Sequence, residues 1–207
     1  MIKLDLLPPP QGLARDLLKD KEASRKALKA TVRDLGRRGP AQVSKAVRAV
    51  YSIKAGDIAP GKGGGRLAGG ARVRGAGETV DTFTLVYTGS PMTPTHFRMS
   101  PGSASGGRRY TIKATIFKGA RVKIGHWAPR GSEGGRYARP SDSPFFLVGG
   151  RGGSMLPMQR RGGKLHAMRT VSLPQMVGKE EVAQEAMGKL SELARGRLEH
   201  HLRRFMK

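Results

Sequence analysis

The chain has 207 residues, with 39 Lys and Arg against 15 Asp and Glu, which gives a formal net charge of +24. It contains no cysteine, so disulfides, thiolate chemistry and cysteine-ligated zinc or iron–sulfur sites are excluded. No apolar run approaches the roughly 18 residues that a membrane-spanning helix needs, and the apolar start of the chain is too short for a signal peptide. We therefore expect no membrane partner, and we expect a single domain over residues 1–207.

The positive charge is concentrated in the middle of the chain. Residues 1–55 hold 13 basic and 5 acidic side chains, residues 56–171 hold 19 and 5, and residues 172–207 hold 7 and 5. The middle section also holds 24 of the 30 glycines. A charge excess of this size destabilises a lone compact monomer by self-repulsion. It is tolerated best beside a polyanion, of which nucleic acid is the commonest, or beside acidic neighbours in an assembly.

Helices are predicted in the N-terminal section, residues 11–54. Apolar residues recur there at helical spacing, and the residues between them are mostly charged. Gly36 and the Gly39–Pro40 pair are expected to end a first helix, because glycine and proline usually do so. A second helix is expected from Ala41 to about Ser52.

A Gly- and Arg-rich segment follows over residues 55–80. Its composition offers too little apolar surface for independent folding. We expect a loop or an extended arm here, which orders on a neighbouring subunit, a tube protein or DNA.

Short antiparallel strands are predicted over residues 81–171. Phe83, Leu85 and Tyr87 alternate onto one face of a first strand. The alternating residues 110–116 and the strand that starts near Arg121 are joined by a turn at 118–120, which is typical of a β-hairpin. Further short strands are joined by Gly-Gly turns. No helical pattern lies between the strands to serve as a crossover, which favours an antiparallel sheet.

A long helix is predicted over residues 172–207. Glutamates occupy its early turns and arginines its end, which suits the helix dipole. The expected fold is therefore α+β, with N-terminal helices and a long C-terminal helix packed on an antiparallel sheet. The apolar stripe of the last helix is predicted to serve packing or assembly, and it comprises Val182, Ala186, Leu190, Leu193, Leu198 and Leu202.

No set of residues in the sequence suggests catalysis. The five histidines lack the spacing of metal ligands, the acidic residues of the middle section are scattered, and no Gly-x-Ser-x-Gly motif is present. Residues 61–66 superficially resemble a phosphate-binding loop, but no Ser or Thr follows Lys62. We predict that the protein is not an enzyme and that it has no catalytic residues, no metal ligands and no cofactor.

Arginine and lysine in the glycine-rich stretches are the candidate contact residues. Such side chains hold phosphates without reading base sequence. They serve equally well to hold acidic patches on neighbouring subunits, and charge alone does not decide between the two partners. The candidates are Lys62, Arg66, Arg72, Arg74, Arg108, Arg109, Arg160 and Arg161.

The order of several short motifs resembles the minor tail protein Z family of tailed bacteriophages. Residues 51–58, YSIKAGDI, resemble the tyrosine-led segment that follows its N-terminal helices. Residues 145–176 resemble its block of a Phe-rich strand, a glycine turn, an Arg-Arg-Gly stretch and a further strand. The C-terminal region resembles the family in its entry motif and in its last helix, at Ser172, Pro174, Gln175, Met176, Arg197, Leu198 and His200.

The resemblance implies a structural virion protein in the tail or neck region, assembled in the host cytoplasm. Family members complete the tail at its head-proximal end, where the tube is closed, the head is joined and DNA passes. The implied partners are further copies in a ring, the tail tube or tail terminator, neck proteins and genomic double-stranded DNA. The alternatives are a non-sequence-specific nucleic-acid-binding protein, an assembly protein that binds only protein, and, with least support, an enzyme.

Overall fold

The structure is a computed structural model that describes residues 2–5, 21–59, 67–77, 82–102, 110–127, 146–149, 155–161 and 164–206. The helices are α1 (Lys21–Val50), α2 (Ala55–Ile58), α3 (Leu173–Gly178) and α4 (Glu180–Phe205), with 3-10 turns at Ala68–Gly70 and Pro94–His96. The strands are β1 (Ile2–Asp5), β2 (Arg72–Gly77), β3 (Thr82–Thr88), β4 (Arg98–Ser100), β5 (Tyr110–Thr115), β6 (Val122–Trp127), β7 (Phe146–Gly149), β8 (Met155–Arg161) and β9 (Lys164–Ala167).

These elements confirm the predicted α+β class, with helices near both ends and antiparallel strands between them. The chain divides into two compact units. The helical unit comprises Met1–Ala49, Ala55–Gly89 and Leu173–Lys207, and the strand unit comprises Val50–Lys54 and Ser90–Ser172. The assignment of one domain to residues 1–207 stays a prediction.

The sheet of the helical unit has the order β1-β3-β2, with both pairings antiparallel. Phe83, Leu85 and Tyr87 of the central strand are buried, as their alternation predicts. Residues 2–5 supply the edge strand β1, with Ile2 opposite Leu85. A four-residue strand has too little alternation to be recognised in the sequence, and its pairing with β3 is what forms it.

The prediction of a Gly/Arg-rich loop or arm over residues 55–80 is wrong for the part of this range that the structure describes. Residues 72–77 form β2, with Val73 opposite Tyr87. Strand pairing satisfies the backbone groups of this glycine-rich segment, which its own side chains could not do. The few apolar residues around it are buried, namely Ile58, Leu67, Ala68 and Ala71. Residues 60–66 and 78–80 lie outside the described residues.

The structure has one 30-residue helix, α1, where the sequence predicts two. Residues 11–20 of the predicted first helix lie outside the described residues. Gly39 and Pro40 lie inside α1 and are buried. Proline removes one backbone hydrogen bond of the helix, but the packing of a buried helix face outweighs such local preferences.

Glycine lets α1 lie close against the sheet. A Cβ atom on Gly39 would come within 3.2 Å of Leu190 Cδ2 and of Leu85 Cδ1. A Cβ atom on Gly75 of β2 would come within 3.1 Å of the Gly36 Cα atom and within 3.2 Å of the Phe83 ring. The residues that predict a helix end are therefore contact points between α1, β3 and α4.

One series of buried residues on α1 recurs at every fourth position. Because four residues turn the helix by slightly more than one revolution, this series winds around the axis by about 40° per step. Thr31 is the polar member of this series, and its hydroxyl donates to the Ala27 carbonyl at 2.8 Å. The series consists of Ala23, Ala27, Thr31, Leu35, Gly39, Val43 and Val47.

The C-terminal region forms the short helix α3 and the long helix α4. Helix α3 packs on β3, and α4 contacts β1. Among the residues of the predicted apolar stripe, Leu193 is partly exposed. The other members, Val182, Ala186, Leu190, Leu198 and Leu202, are buried.

The strand unit contains two three-stranded antiparallel sheets, β4-β5-β6 and β7-β8-β9. The predicted hairpin joins β5 to β6, and Gly119 has a φ of 77° in its turn. Ile112, Ala114 and Ile116 are buried, as predicted. Residues 50–54 pack on this sheet through isolated bridges, which join Tyr51 to Phe117 and Ile53 to Phe97.

We expect Gly39→Leu to destabilise the protein, because a larger side chain cannot enter the contact with Leu85 and Leu190 without displacing them. Overpacking of this kind lowers the free energy of unfolding by about 1–3 kcal/mol. Gly188→Leu is the matched control, since an added Cβ on Gly188 of α4 meets nothing within 4 Å. Denaturant unfolding of both variants checks the prediction, and an equal effect of the two would contradict it.

Candidate nucleic-acid interface

The described residues of the strand unit carry only positive formal charge. Ten of them are Lys or Arg and none is Asp or Glu. The two acidic residues within the unit's span, Glu133 and Asp142, lie outside the described residues. Repulsion inside this unit is therefore not relieved by carboxylates among its described residues.

One face of the β4-β5-β6 sheet presents a basic residue on each strand. Arg98, Lys113 and Lys123 are exposed. The register places Lys113 opposite Lys123 and places Ser100 and Lys113 opposite each other, so that these side chains share a face. Arg98 shares the face because it lies two residues from Ser100. We call Arg98, Lys113 and Lys123 the basic sheet face.

Repulsion between the like charges of the basic sheet face destabilises the sheet when no partner is bound. Side chains directly opposite each other on antiparallel strands lie about 5 Å apart at Cβ, and like charges in that position destabilise the sheet. The opposite face holds the buried Ile112 and Ala114, so alternation fixes the lysines on the exposed side. Phosphate groups of a nucleic-acid backbone would neutralise this arrangement without any base contact.

The hairpin turn next to this face adds charge and apolar surface. Lys118 and Arg121 are exposed. Phe117 is 36% exposed and Val122 is 41% exposed, and both belong to the few large apolar residues that the described structure leaves open. The Phe117 ring is held by Tyr51, with the ring centroids 5.0 Å apart. The turn can therefore add apolar contact area to a mainly electrostatic surface.

The structure distributes the sequence-predicted contact residues over both units. Arg72 and Arg74 lie on β2 of the helical unit and are exposed. Arg160 and Arg161 lie on β8 of the strand unit, opposite Leu165 and Lys164. The remaining candidates, Lys62, Arg66, Arg108 and Arg109, lie outside the described residues.

The sequence prediction missed the basic sheet face. Its signal was present, because Lys113 alternates with Ile112 and Ala114 in a strand pattern. The residues that lie opposite Lys113 could not be identified from the sequence, because they depend on the pairing register. This register includes an irregularity between Ile112 and Lys113. Composition drew attention to the glycine-rich stretches instead.

A polar cluster joins α1 to α4 in the helical unit. Arg197 Nε donates to Asp34 Oδ2 at 2.5 Å, and His201 Nε2 lies 3.1 Å from the same oxygen. His201 is buried, and its Nδ1 atom has no hydrogen-bond partner among the described residues. The cluster fixes the position of α4 along α1 and places no reactive group in an open site.

Burial alone would raise the pKa of Asp34, but the hydrogen bonds from His201 and Arg197 outweigh it and hold the pKa below the ordinary value of 3.8. A carboxylate with a lowered pKa in the folded state stabilises the fold above its unfolded pKa. That stabilisation is lost as the pH falls from about 4 through the pKa of the folded state.

Most of the residues that carry the resemblance to the tail protein family and are described below are buried or form contacts within the fold. Ser172 and Met176 are buried at the start of the C-terminal region. Arg197 binds Asp34, Leu198 is buried and His200 is exposed.

No group of three or more His, Cys, Asp or Glu within the described part of the chain could hold a metal ion. None of the helices in the described ranges is long and apolar enough to span a bilayer. No protein-family model, curated protein or solved structure matches the chain.

We expect Asp34→Asn to lower the free energy of unfolding at pH 7 by about 1.5–3 kcal/mol, because two hydrogen bonds involving a charged group are weakened. The difference from the native protein should shrink below about pH 4, where the native carboxylate takes up a proton. Denaturant unfolding at pH 7 and pH 3 measures both effects. Glu185→Gln is the control, because it removes an exposed pair with Lys189. A constant difference across this pH range would contradict the prediction.

We expect Leu198→Asp to destabilise the helical unit by about 3 kcal/mol or more, because it buries an unpaired carboxylate where the side chain is only 2% exposed. Leu193→Asp is the matched control on the same helix, since Leu193 is partly exposed. Thermal unfolding followed by circular dichroism tests the pair. An unchanged melting temperature for Leu198→Asp would show that this side of α4 is not packed as described.

Proposed function

We propose that this protein is a structural component of a tailed phage, acting in tail completion near the neck. In this role it assembles with further copies and with tail or neck proteins, and its basic surfaces contact the phosphate backbone of genomic DNA without reading sequence. Chemistry on a substrate has no part in this function.

The basic sheet face carries the DNA part of the proposal. Its three strands contain no Asp or Glu, and Lys113 lies directly opposite Lys123. A polyanion removes the repulsion that this pairing creates, and each phosphate contact releases counterions from the DNA. None of the three residues of the basic sheet face is aromatic, so this face is better suited to backbone contact than to base readout.

The tail assignment is supported by the order of the motifs from Tyr51 to His200. A closed ring is the assembly expected of a subunit that caps a tube, because cyclic symmetry matches a tubular partner. Net charge supports the same setting, since a neck-proximal protein lies beside a dense polyanion.

A second candidate is a free nucleic-acid-binding protein that belongs to no virion. The ten basic residues of the strand unit, without an acidic residue among its described residues, favour this reading as much as they favour a DNA-facing tail protein. The two candidates differ in whether the protein is needed to build particles.

Electron microscopy of a lysate from the phage that encodes the protein, with its gene interrupted, tests the proposal. We expect heads beside unjoined tails, or joined particles that fail to deliver DNA. The native gene supplied in trans should restore infectious particles. Normal infectious particles without the gene would overturn the tail role and leave the free nucleic-acid-binding candidate.

The basic sheet face is tested in the same system by supplying Arg98→Gln, Lys113→Gln and Lys123→Gln together. We expect particles that assemble but deliver DNA poorly, because phosphate contacts are lost while the apolar face of the sheet is unchanged. Full infectivity with this variant would count against DNA contact at the sheet.

A further inference from the structure

Helix α1 carries a second basic surface, in the helical unit, that the proposed function does not use. Basic side chains recur at every fourth position along its first half, two residues out of phase with the buried series. All of them are exposed. We call this set the α1 basic stripe, and it consists of Lys21, Arg25, Lys29, Arg33 and Arg37.

Among the described residues, no ion pair offsets the charge of the stripe. No member forms a salt bridge or hydrogen bond with any residue that the structure describes, whereas the neighbouring Lys26 pairs with Glu22 at 2.7 Å. Like charges four residues apart on a helix repel each other. The stripe contains four such pairs in succession, so their repulsion destabilises the first half of an isolated α1.

Helix α4 shows that this arrangement is particular to α1. It has five basic and five acidic residues, whereas α1 has nine basic and two acidic residues. In α4 three of the four charged pairs that lie four residues apart have opposite charge. Examples are Glu185 with Lys189 at 3.2 Å and Arg195 with Glu199 at 3.3 Å. Both helices pack in the same unit, yet only α1 accumulates charge of one sign.

The geometry of the stripe fits a phosphate backbone. Its members are spaced about 6 Å along the axis and span about 24 Å. Successive members diverge by about 40° around the helix. A flat acidic surface could therefore contact only some of the five side chains at once. Duplex DNA carries phosphates along both borders of a groove that admits a helix, and it can contact side chains that point in diverging directions.

The lysines of the stripe and its lack of aromatic residues favour DNA over a protein partner, whereas its arginines suit either. Protein interfaces are enriched in aromatic residues and arginine and depleted in lysine. The stripe contains two lysines and three arginines, and no aromatic residue occurs in α1. We propose that the α1 basic stripe binds the phosphate backbone of duplex DNA, independently of base sequence, as a site separate from the basic sheet face. This inference deepens the proposed function and rests on its DNA contact.

The test compares three forms of the full-length protein. The first combines Lys29→Gln, Arg33→Gln and Arg37→Gln in the stripe. The matched control combines Lys189→Gln, Arg195→Gln and Arg203→Gln, which removes the same charge from α4. A third form, Lys29→Arg with Arg33→Lys and Arg37→Lys, keeps the charge and changes the side chains. Circular dichroism and melting temperature establish that all three forms are folded.

Affinity for two unrelated 30-base-pair duplexes is measured by fluorescence anisotropy at several salt concentrations. We expect the stripe variant to bind at least about tenfold more weakly at 50 mM salt. Its slope of log affinity against log salt should be shallower by about 2 to 3, because three phosphate contacts are lost. The α4 control and the charge-keeping form should bind both duplexes nearly as the native protein does.

Several results would overturn the inference. Equal losses in the stripe variant and the α4 control would show that only total charge matters. An unchanged stripe variant beside tight native binding would assign DNA contact to another surface and leave the proposed function intact. Absence of DNA binding by the native protein would remove the DNA contact from both proposals. Binding of polyglutamate in preference to DNA, lost only in the stripe variant, would assign α1 to an acidic protein instead.

Discussion

The helical unit depends on the close approach of α1 to its sheet. Gly36, Gly39 and Gly75 leave no side chain in the contact, and the Phe83 ring and the Leu85 side chain occupy the space. Because the helix continues through this contact, a single helix of 30 residues meets β3 and α4 at Gly39. The packing on both sides of Gly39 holds Pro40 within the helix, where local propensity would end it.

The burial of one side of α1 in the core determines which of its charged residues are exposed on the other side. The buried series recurs every four residues, and the positions midway between its members stay exposed along the first half of the helix. Five of those positions carry Lys or Arg. In α4 the same spacing is used for ion pairs, and the polar contact of α4 with α1 is that of Arg197 and His201 with Asp34. The unit thus separates charge that forms ion pairs within its fold from charge that stays exposed on α1.

Hydrophobic periodicity predicted the strands at Phe83 and Ile112 and the stripe of the last helix, because burial of one face imposes a period of two on a strand and of 3.6 on a helix. It failed at β1 and β2, which are edge strands with few apolar side chains and which form because β3 supplies their hydrogen bonds. It also failed at Gly39, where glycine serves close packing rather than a helix end. The candidate contact residues at Arg72 and Arg74 followed from composition, whereas the basic sheet face depends on pairings of residues far apart in the chain.

The sequence by itself determined the α+β class, the charge excess and the absence of cysteine chemistry, because these follow from residue identity and short-range periodicity. It also contains the spacing of the α1 basic stripe, which can be read as one basic residue in every four. Tertiary structure decided which charges are neutralised and which are exposed. Asp34 is distant in sequence from Arg197 and His201, and Lys113 meets Lys123 only through strand register, so these relations arise when the chain folds and not before.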